Sequence, residues 1–188
     1  MYIARILYPV QVLGPGKRVG IWFVGCKHKC KGCSNPELWN INKISYVTIE
    51  QAEKLIRNVA KENVIDGFTI TGGDPMEQAD EIADLLERIR DISEDVLLYT
   101  GYEIAELTSD MHIKLLDKVA VLIDGRYEED LNDSSFLRGS SNQIIHILKK
   151  QYRDKYHNYI NNNQNEIQNF MINNEVVSVG IHKKDFRF

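Results

Sequence analysis

The residues with the clearest chemistry are three cysteines. Cys26, Cys30 and Cys33 follow the pattern Cys-x3-Cys-x2-Cys, and the 188-residue chain has no cysteine elsewhere. A disulfide framework ties distant segments together and uses an even count. Three thiols in one short window serve one local purpose and point to a reducing compartment, the cytoplasm. The spacing lets all three ligate one metal centre from a single loop. Gly25 and Gly32 give that loop backbone freedom. Lys27, Lys29 and Lys31 alternate with the thiols. Their charge is expected to lower the thiolate pKa values and to offset a negatively charged cluster.

Three chemistries fit the triplet. Structural zinc takes four ligands, usually from Cys-x2-Cys pairs; His28 is the available fourth, cramped at two residues from both Cys26 and Cys30. The bland reading of His28 is a surface residue that tunes or screens a cluster. A redox or nucleophilic thiol needs one or two cysteines and finds no resolving partner elsewhere. A [4Fe–4S] cluster held by three thiolates keeps one iron open, and an open position is what a catalytic metal needs. Spacing alone leaves all three open, with the cluster in front.

The loop follows a short apolar run rich in β-formers, Arg18 to Val24, which reads as a buried strand. Thr48 is the expected N-cap of a helix from Glu50 to Glu62. Phe68-Thr69-Ile70 is a second strand, ending in Thr71-Gly72-Gly73-Asp74-Pro75. Helical spacing then runs from Glu77 to Arg90, with Ile82, Leu85, Leu86 and Ile89 on one face. Val96 to Tyr99 is a third strand, Ile104 to Leu116 a helix, Val119 to Ile123 a fourth strand and Ile144 to Leu148 a fifth. Alternating strands and helices predict βαβ units and an open parallel sheet, whose ligand crevice lies outside the strand C-termini. The segments 25–33, 71–75, 100–102 and 124–126 should therefore converge. After Lys149 the chain is polar and Asn-rich up to Gln168. Ile167–Ile172 and Val176–Ile181 then read as a β-hairpin, a small appendage expected at the sheet edge.

Composition sets limits. Hydrophobic residues make up 43% and charged residues 27%, with a formal net charge of -4. That excludes wholesale disorder and offers no basic footprint for nucleic acid or an anionic membrane. No run approaches the roughly 18 apolar residues that span a bilayer.

At the cysteine loop the sequence resembles the radical S-adenosylmethionine (radical SAM) superfamily. Further blocks make the resemblance more specific: Tyr8-Pro9; Gly14-Pro15-Gly16-Lys17-Arg18; Phe23 through Cys33, with Asn35 and Trp39; Thr71 through Pro75; Thr100-Gly101-Tyr102; Val121 through Gly125; and Arg138 through Gln143. Together they are similar to the anaerobic ribonucleoside-triphosphate reductase activating proteins, over roughly residues 1–148. The resemblance implies an α/β fold, an incomplete radical SAM (β/α) barrel with an open parallel sheet. Residues 1–148 would form the core domain, and residues 149–188 a C-terminal extension made of a polar helix or linker and the hairpin.

The resemblance also implies a [4Fe–4S] cluster on Cys26, Cys30 and Cys33, with S-adenosylmethionine on the open iron. The partner would be a glycyl radical enzyme, anaerobic ribonucleotide reductase, and the electron donor a protein such as flavodoxin or ferredoxin. The implied cofactor contacts are Gly32, Ser34, Gly72, Gly73, Asp74, Asp124, Arg138, Ser140 and Asn142. Of these, Gly72 and Gly73 permit close backbone approach, and Asp74 is suited to accept from an ammonium. Asp124 is equally suited to turn chemistry, and the 138–143 segment to a hydrogen-bonded loop. Trp22, Tyr99 and Tyr102 read as core and rim aromatics, and Arg18 as a carboxylate partner or a solvated strand start. Two departures stand out. Ser34 occupies a position that is often Tyr in the family, and residues beyond about 150 have no counterpart. The extension keeps a second reading in play, action on another glycyl radical enzyme or a peptide. A non-catalytic zinc module is the rival of a different class.

Overall fold

The computed structural model describes residues 1–41 and 46–184. A six-stranded sheet runs in the order β1 (Ile3–Val10), β2 (Arg18–Phe23), β3 (Gly67–Gly72), β4 (Val96–Tyr99), β5 (Val121–Asp124), β6 (Ile144–Ile147). The pairs β2–β3, β3–β4 and β4–β5 are parallel, as the strand–helix alternation predicts. Both edges depart from that pattern: β1 and β6 pair antiparallel with β2 and β5. β1 has no clean sequence signal, since Arg5 interrupts its apolar run, and its pairing with β2 carries register shifts near both ends. β6 runs back because a loop, not a crossover helix, links it to β5.

The three core helices are α1 (Ile49–Glu62), α2 (Ala79–Arg88) and α3 (Asp110–Leu116). Thr48 caps α1 as expected, with Thr48 and Gln51 bonding reciprocally in a capping box. The expected helix from Glu77 is shorter, because Pro75–Gln78 forms a tight 3-10 turn ahead of α2. The stretch 104–116 is broken: a single turn, Ile104–Glu106, precedes α3, which Ser109 caps afresh.

Side-chain alternation along the strands divides the sheet into two apolar faces. Val19, Ile21, Phe23, Phe68, Ile70, Val96, Leu98 and Leu122 face α1–α3. Trp22 and Val24 face the other way, as do Leu97, Val121 and Ile123. A parallel sheet needs cover on both sides. The second cover comes from the C-terminal extension: α4 (Arg153–Asn162), β7 (Ile167–Ile172) and β8 (Glu175–Gly180). Tyr156 of α4 is buried against Leu97, Val121 and Ile123, and Val179 of β8 is buried with Leu7, Val10 and Trp22. The hairpin is not added to the sheet edge, as its sequence suggested. It forms a separate two-stranded sheet laid over the face. Its turn is Asn173-Asn174, both at positive φ, between the paired Ile172 and Glu175.

A buried ion pair ties this layer to the core. Arg18 is fully buried. It donates to Thr69 Oγ1 at 2.8 Å, to the Phe68 and Asp95 carbonyls, and to Asp95 Oδ1 at 3.2 Å. From the extension, Tyr156 donates to Asp95 Oδ1 at 2.6 Å and Lys155 to Asp95 Oδ2 at 2.6 Å. Burial pushes the Asp95 carboxyl up, but the Arg18 charge, Lys155 and Tyr156 together outweigh it and hold it below its ordinary value. Among the described residues no helix is long and apolar enough to cross a membrane.

Tyr156→Phe should therefore lower the unfolding free energy by about 1–3 kcal/mol, the cost of an under-satisfied buried acceptor. Arg18→Leu should cost about 3–5 kcal/mol, because it strips a buried charge of its partner. Denaturant titration at neutral pH measures both. A depressed folded pKa gives stability that is present above the unfolded value of about 3.9 and is lost as pH falls through the folded value. Asp95→Asn should flatten the acid limb of the stability profile below about pH 4; an unchanged limb would contradict this account.

Candidate metal centre

The cysteine loop leaves the sheet at the C-terminal end of β2 and is held there by backbone. Gly25 N–H donates to the Leu38 carbonyl at 2.8 Å and Cys26 N–H to the Trp39 carbonyl at 3.0 Å. The end of β3 locks on from the other side: Gly73 N–H donates to Phe23 O and Asp74 N–H to Gly25 O, both at 2.7 Å. A Cβ at Gly73 would sit 2.3 Å from Gly25 O, and one at Gly72 2.3 Å from Phe23 N. The close approach expected of this glycine pair is thus made first to the chain's own backbone. Within the loop, Cys33 N–H donates to the Cys30 carbonyl at 3.2 Å, and Asn35 N–H to Cys33 Sγ at 3.4 Å.

All three thiols are half-buried and line one cavity of about 190 Å³. Its other walls are the strand ends Thr71–Asp74 and Tyr99–Gly101, with Gly125 and Gln143. The predicted convergence of loops at the strand C-termini is what the structure shows for these segments. Among the described residues no three His, Cys, Asp or Glu side chains gather as a single-ion site. Structural zinc needs a fourth ligand, and His28, the candidate, is turned to Asp74 and Arg126. Thiolate-only donors beside an open cavity fit a [4Fe–4S] cluster.

The electrostatics differ from expectation. Burial pushes the Cys26 and Cys30 thiols up. Lys27 and Lys31 do not point their charge at the thiols. They are paired outward, Lys27 with Glu77 at 2.5 Å and Lys31 with Glu129 at 2.9 Å.

His28 is a correction to the sequence reading. It is not a surface residue: its side chain is 8% exposed and bridges three loops. Nε2 lies 3.1 Å from Asp74 Oδ2, Arg126 Nε donates to Nδ1 at 3.0 Å, and the ring meets Tyr102 edge-on at 4.5 Å. Asp74 is the hub of this network. It is 1% exposed and accepts from Met76 N–H at 3.0 Å, Thr100 Oγ1 at 2.9 Å and Gly101 N–H at 2.8 Å. Tyr102 in turn donates to Glu77 at 2.5 Å, next to the Lys27 ion pair.

Of the residues singled out from sequence, Ser34, Gly72, Gly73 and Asp74 line the cavity with the cysteines. Gly32, Asp124, Arg138, Ser140 and Asn142 are not among its walls. Gly32 has φ +71 and packs against Glu129. Asp124 accepts from Ile104 N–H at 2.7 Å and faces His146 at 3.1 Å, which is turn chemistry beside a neighbouring groove. Arg138 bonds the Gln143 carbonyl at 2.8 Å, and Ser140 Oγ accepts from Glu128 N–H at 3.1 Å. Asn142 bonds the Arg126 carbonyl at 2.8 Å. These three hold the loop that carries Gln143 into the wall. Trp22, Tyr127 and the segment Ser178–His182 also line the cavity. Periodicity marks Trp22 as apolar, but nothing in the sequence signals the other two.

The chain matches the family model described as a 4Fe-4S single cluster domain over residues 12–146. Curated relatives are named anaerobic ribonucleoside-triphosphate reductase-activating protein. One, from Escherichia coli (strain K12), is 34% identical over 149 residues, covering 76% of this chain and 96% of the relative. Another, from Enterobacteria phage T4, is 37% identical over 144 residues, covering 74% and 90%. A third, from Vibrio cholerae serotype O1, is 36% identical over 146 residues, covering 74% and 94%. A thiol loop opening on the crevice of a parallel sheet, the cluster-domain match and these near-full-length relatives agree: the chain belongs to the family of anaerobic ribonucleoside-triphosphate reductase-activating proteins.

Proposed function

We propose that this enzyme is a radical SAM activase that installs a glycyl radical on anaerobic ribonucleoside-triphosphate reductase, in the cytoplasm. The observation that carries the reading is the placement of three thiols, from one loop, on a cavity walled by the C-terminal ends of parallel strands. Cys26, Cys30 and Cys33 are the ligands of a [4Fe–4S] cluster. Together with S-adenosylmethionine and one electron, a cluster held there would supply radical chemistry for hydrogen-atom abstraction from the partner's glycine. The electron comes from a donor protein such as flavodoxin or ferredoxin.

This chain's residues bind, orient and exclude water. The Gly72–Gly73 clamp fixes the loop on β3, so the thiols keep their places before any ligand arrives. Asp74 reads as a positioning residue and not as the acceptor for an ammonium, since its carboxylate is already met by Met76, Thr100, Gly101 and His28. His28 carries that order into the loop from between two cysteines. The open-sided architecture supports an incomplete (β/α) barrel: four parallel strands, antiparallel edges and the core helices α1–α3 on one face. A second reading keeps the chemistry and changes the target to another glycyl radical enzyme or a peptide. The extension beyond the matched family region favours it.

Anaerobic reconstitution should give a brown protein with about four irons per chain. It should form 5′-deoxyadenosine with S-adenosylmethionine and a reductant. Cys26→Ser, Cys30→Ser and Cys33→Ser should each abolish that product. A colourless protein with one zinc would overturn the reading. Co-incubation with the reductase should add a glycyl radical signal in electron paramagnetic resonance; its absence with cleavage intact would shift the choice to the second target class. His28→Ala removes the contact to Asp74, which keeps its Met76, Thr100 and Gly101 donors, and the bond from exposed Arg126, a cost of about 1 kcal/mol. It should speed cluster loss to a chelator several-fold. Unchanged loss would remove His28 from the positioning role.

A further inference from the structure

The cavity has one wall that the family does not account for. Ser178, Val179, Gly180, Ile181 and His182 line it together with the three cysteines, and the family match ends at residue 146. This wall is fixed in place. Gln168 of β7 donates to the Pro9 carbonyl at 2.7 Å and accepts from Gln11 N–H at 3.0 Å. Val179 is packed on Leu7, Val10 and Trp22. Ser178 Oγ of β8 and His182 Nε2, just past it, lie 2.9 Å apart, and the His182 carbonyl accepts from Asn132 Nδ2 at 3.1 Å. The loop holding Asn132 also presents Glu129 to Gly32 and Lys31 of the cysteine loop. Wall and metal loop are therefore braced through one shared segment.

The lining grades from polar to apolar. Thr71 and the backbone of Gly72, Gly73 and Gly101 lie at the strand ends, whereas Trp22, Val179 and Ile181 form an apolar side. Such a gradient suits a ligand with a charged amino-acid end and a flat, weakly polar end. The cavity's 190 Å³ is below the roughly 300–1,000 Å³ common for organic ligands. Because Val179 and Ile181 line a cavity this small, a nucleoside-sized ligand seated there would contact this wall.

We infer that the extension is part of the cofactor site: Val179 and Ile181 form an in-cis wall that contacts the weakly polar end of an adenosyl sulfonium. The inference rests on the function proposed above and adds to it a set of binding residues from outside the family region. Ile181 is the residue to vary, because it lines the cavity and is only partly buried. The experiment titrates S-adenosylmethionine into anaerobically reconstituted, full-length protein without partner, following the cluster's spectrum. Iron content and melting temperature are measured alongside.

Ile181→Trp, which fills the cavity, should weaken binding about tenfold, and Ile181→Ala should do so by a similar factor through lost contact. Iron content should match the wild type. If the larger side chain prevents folding, the alanine variant decides. Affinity within twofold of wild type in the folded variants overturns the inference. So does unchanged affinity with impaired reductase activation, which places the wall against the partner's peptide. Failure of the wild-type protein to bind cluster or sulfonium would overturn the proposed function itself, and the parallel wild-type titration tells the two apart.

Discussion

Two glycine backbones lie closer to their neighbours than any side chain would permit. Gly72 and Gly73, at the end of β3, pack on Phe23 and Gly25, where β2 becomes the cysteine loop, and Gly73 N–H donates to Phe23 O. This contact decides where three thiols stand relative to the sheet. Without it the loop would be a tethered chelator. With it the loop opens on the crevice that parallel strands create at their C-terminal ends. The polar network around Asp74 extends the same constraint sideways. It takes in β4 through Thr100 and Gly101, and returns to the loop through His28. The order a metal site needs from its surroundings is thus supplied by backbone contact and one buried carboxylate.

A second constraint shapes the rest of the molecule. The strands alternate apolar side chains to both faces, and helices α1–α3 cover one of them. Leaving the other bare would expose Trp22, Leu97, Val121 and Ile123. The extension covers them, and Asp95 is the rivet, taking Arg18 from the core and Lys155 and Tyr156 from α4. Burying an ion pair costs desolvation energy, so such a pair fixes placement better than it adds stability. Covering that face also brings β8 up to the cavity. The packing requirement and the proposed binding role are met by the same residues.

Much of this was legible in the sequence. The triplet spacing, the strand-end glycines and the β-rich run before the loop each have a local physical cause, and local causes survive in a linear reading. The parallel centre followed from alternation, and Thr48 from capping chemistry. What was not legible depends on partners distant in sequence. Arg18 is a buried pair because Asp95, 77 positions on, meets it. His28 is a bridge because Asp74 and Arg126 converge on it. Lys27 and Lys31, beside the thiols, spend their charge on Glu77 and Glu129. Asp124, Arg138, Ser140 and Asn142 are polar residues beside a crevice, and a sequence cannot say that they bond the loop instead of lining the cavity. The hairpin was visible as a hairpin; its place over the sheet face was not, since a polar, Asn-rich connection carries no signal of where it leads.

The central claim is that three thiolates hold a cubane and leave one iron for a small ligand. Mössbauer spectroscopy of iron-reconstituted protein, with and without S-adenosylmethionine, addresses it most directly. The account predicts one iron whose signal differs from the others and shifts when the sulfonium is added, while the remaining irons hold theirs. A spectrum that the ligand leaves untouched at every iron, or protein that takes up no iron at all, would contradict it.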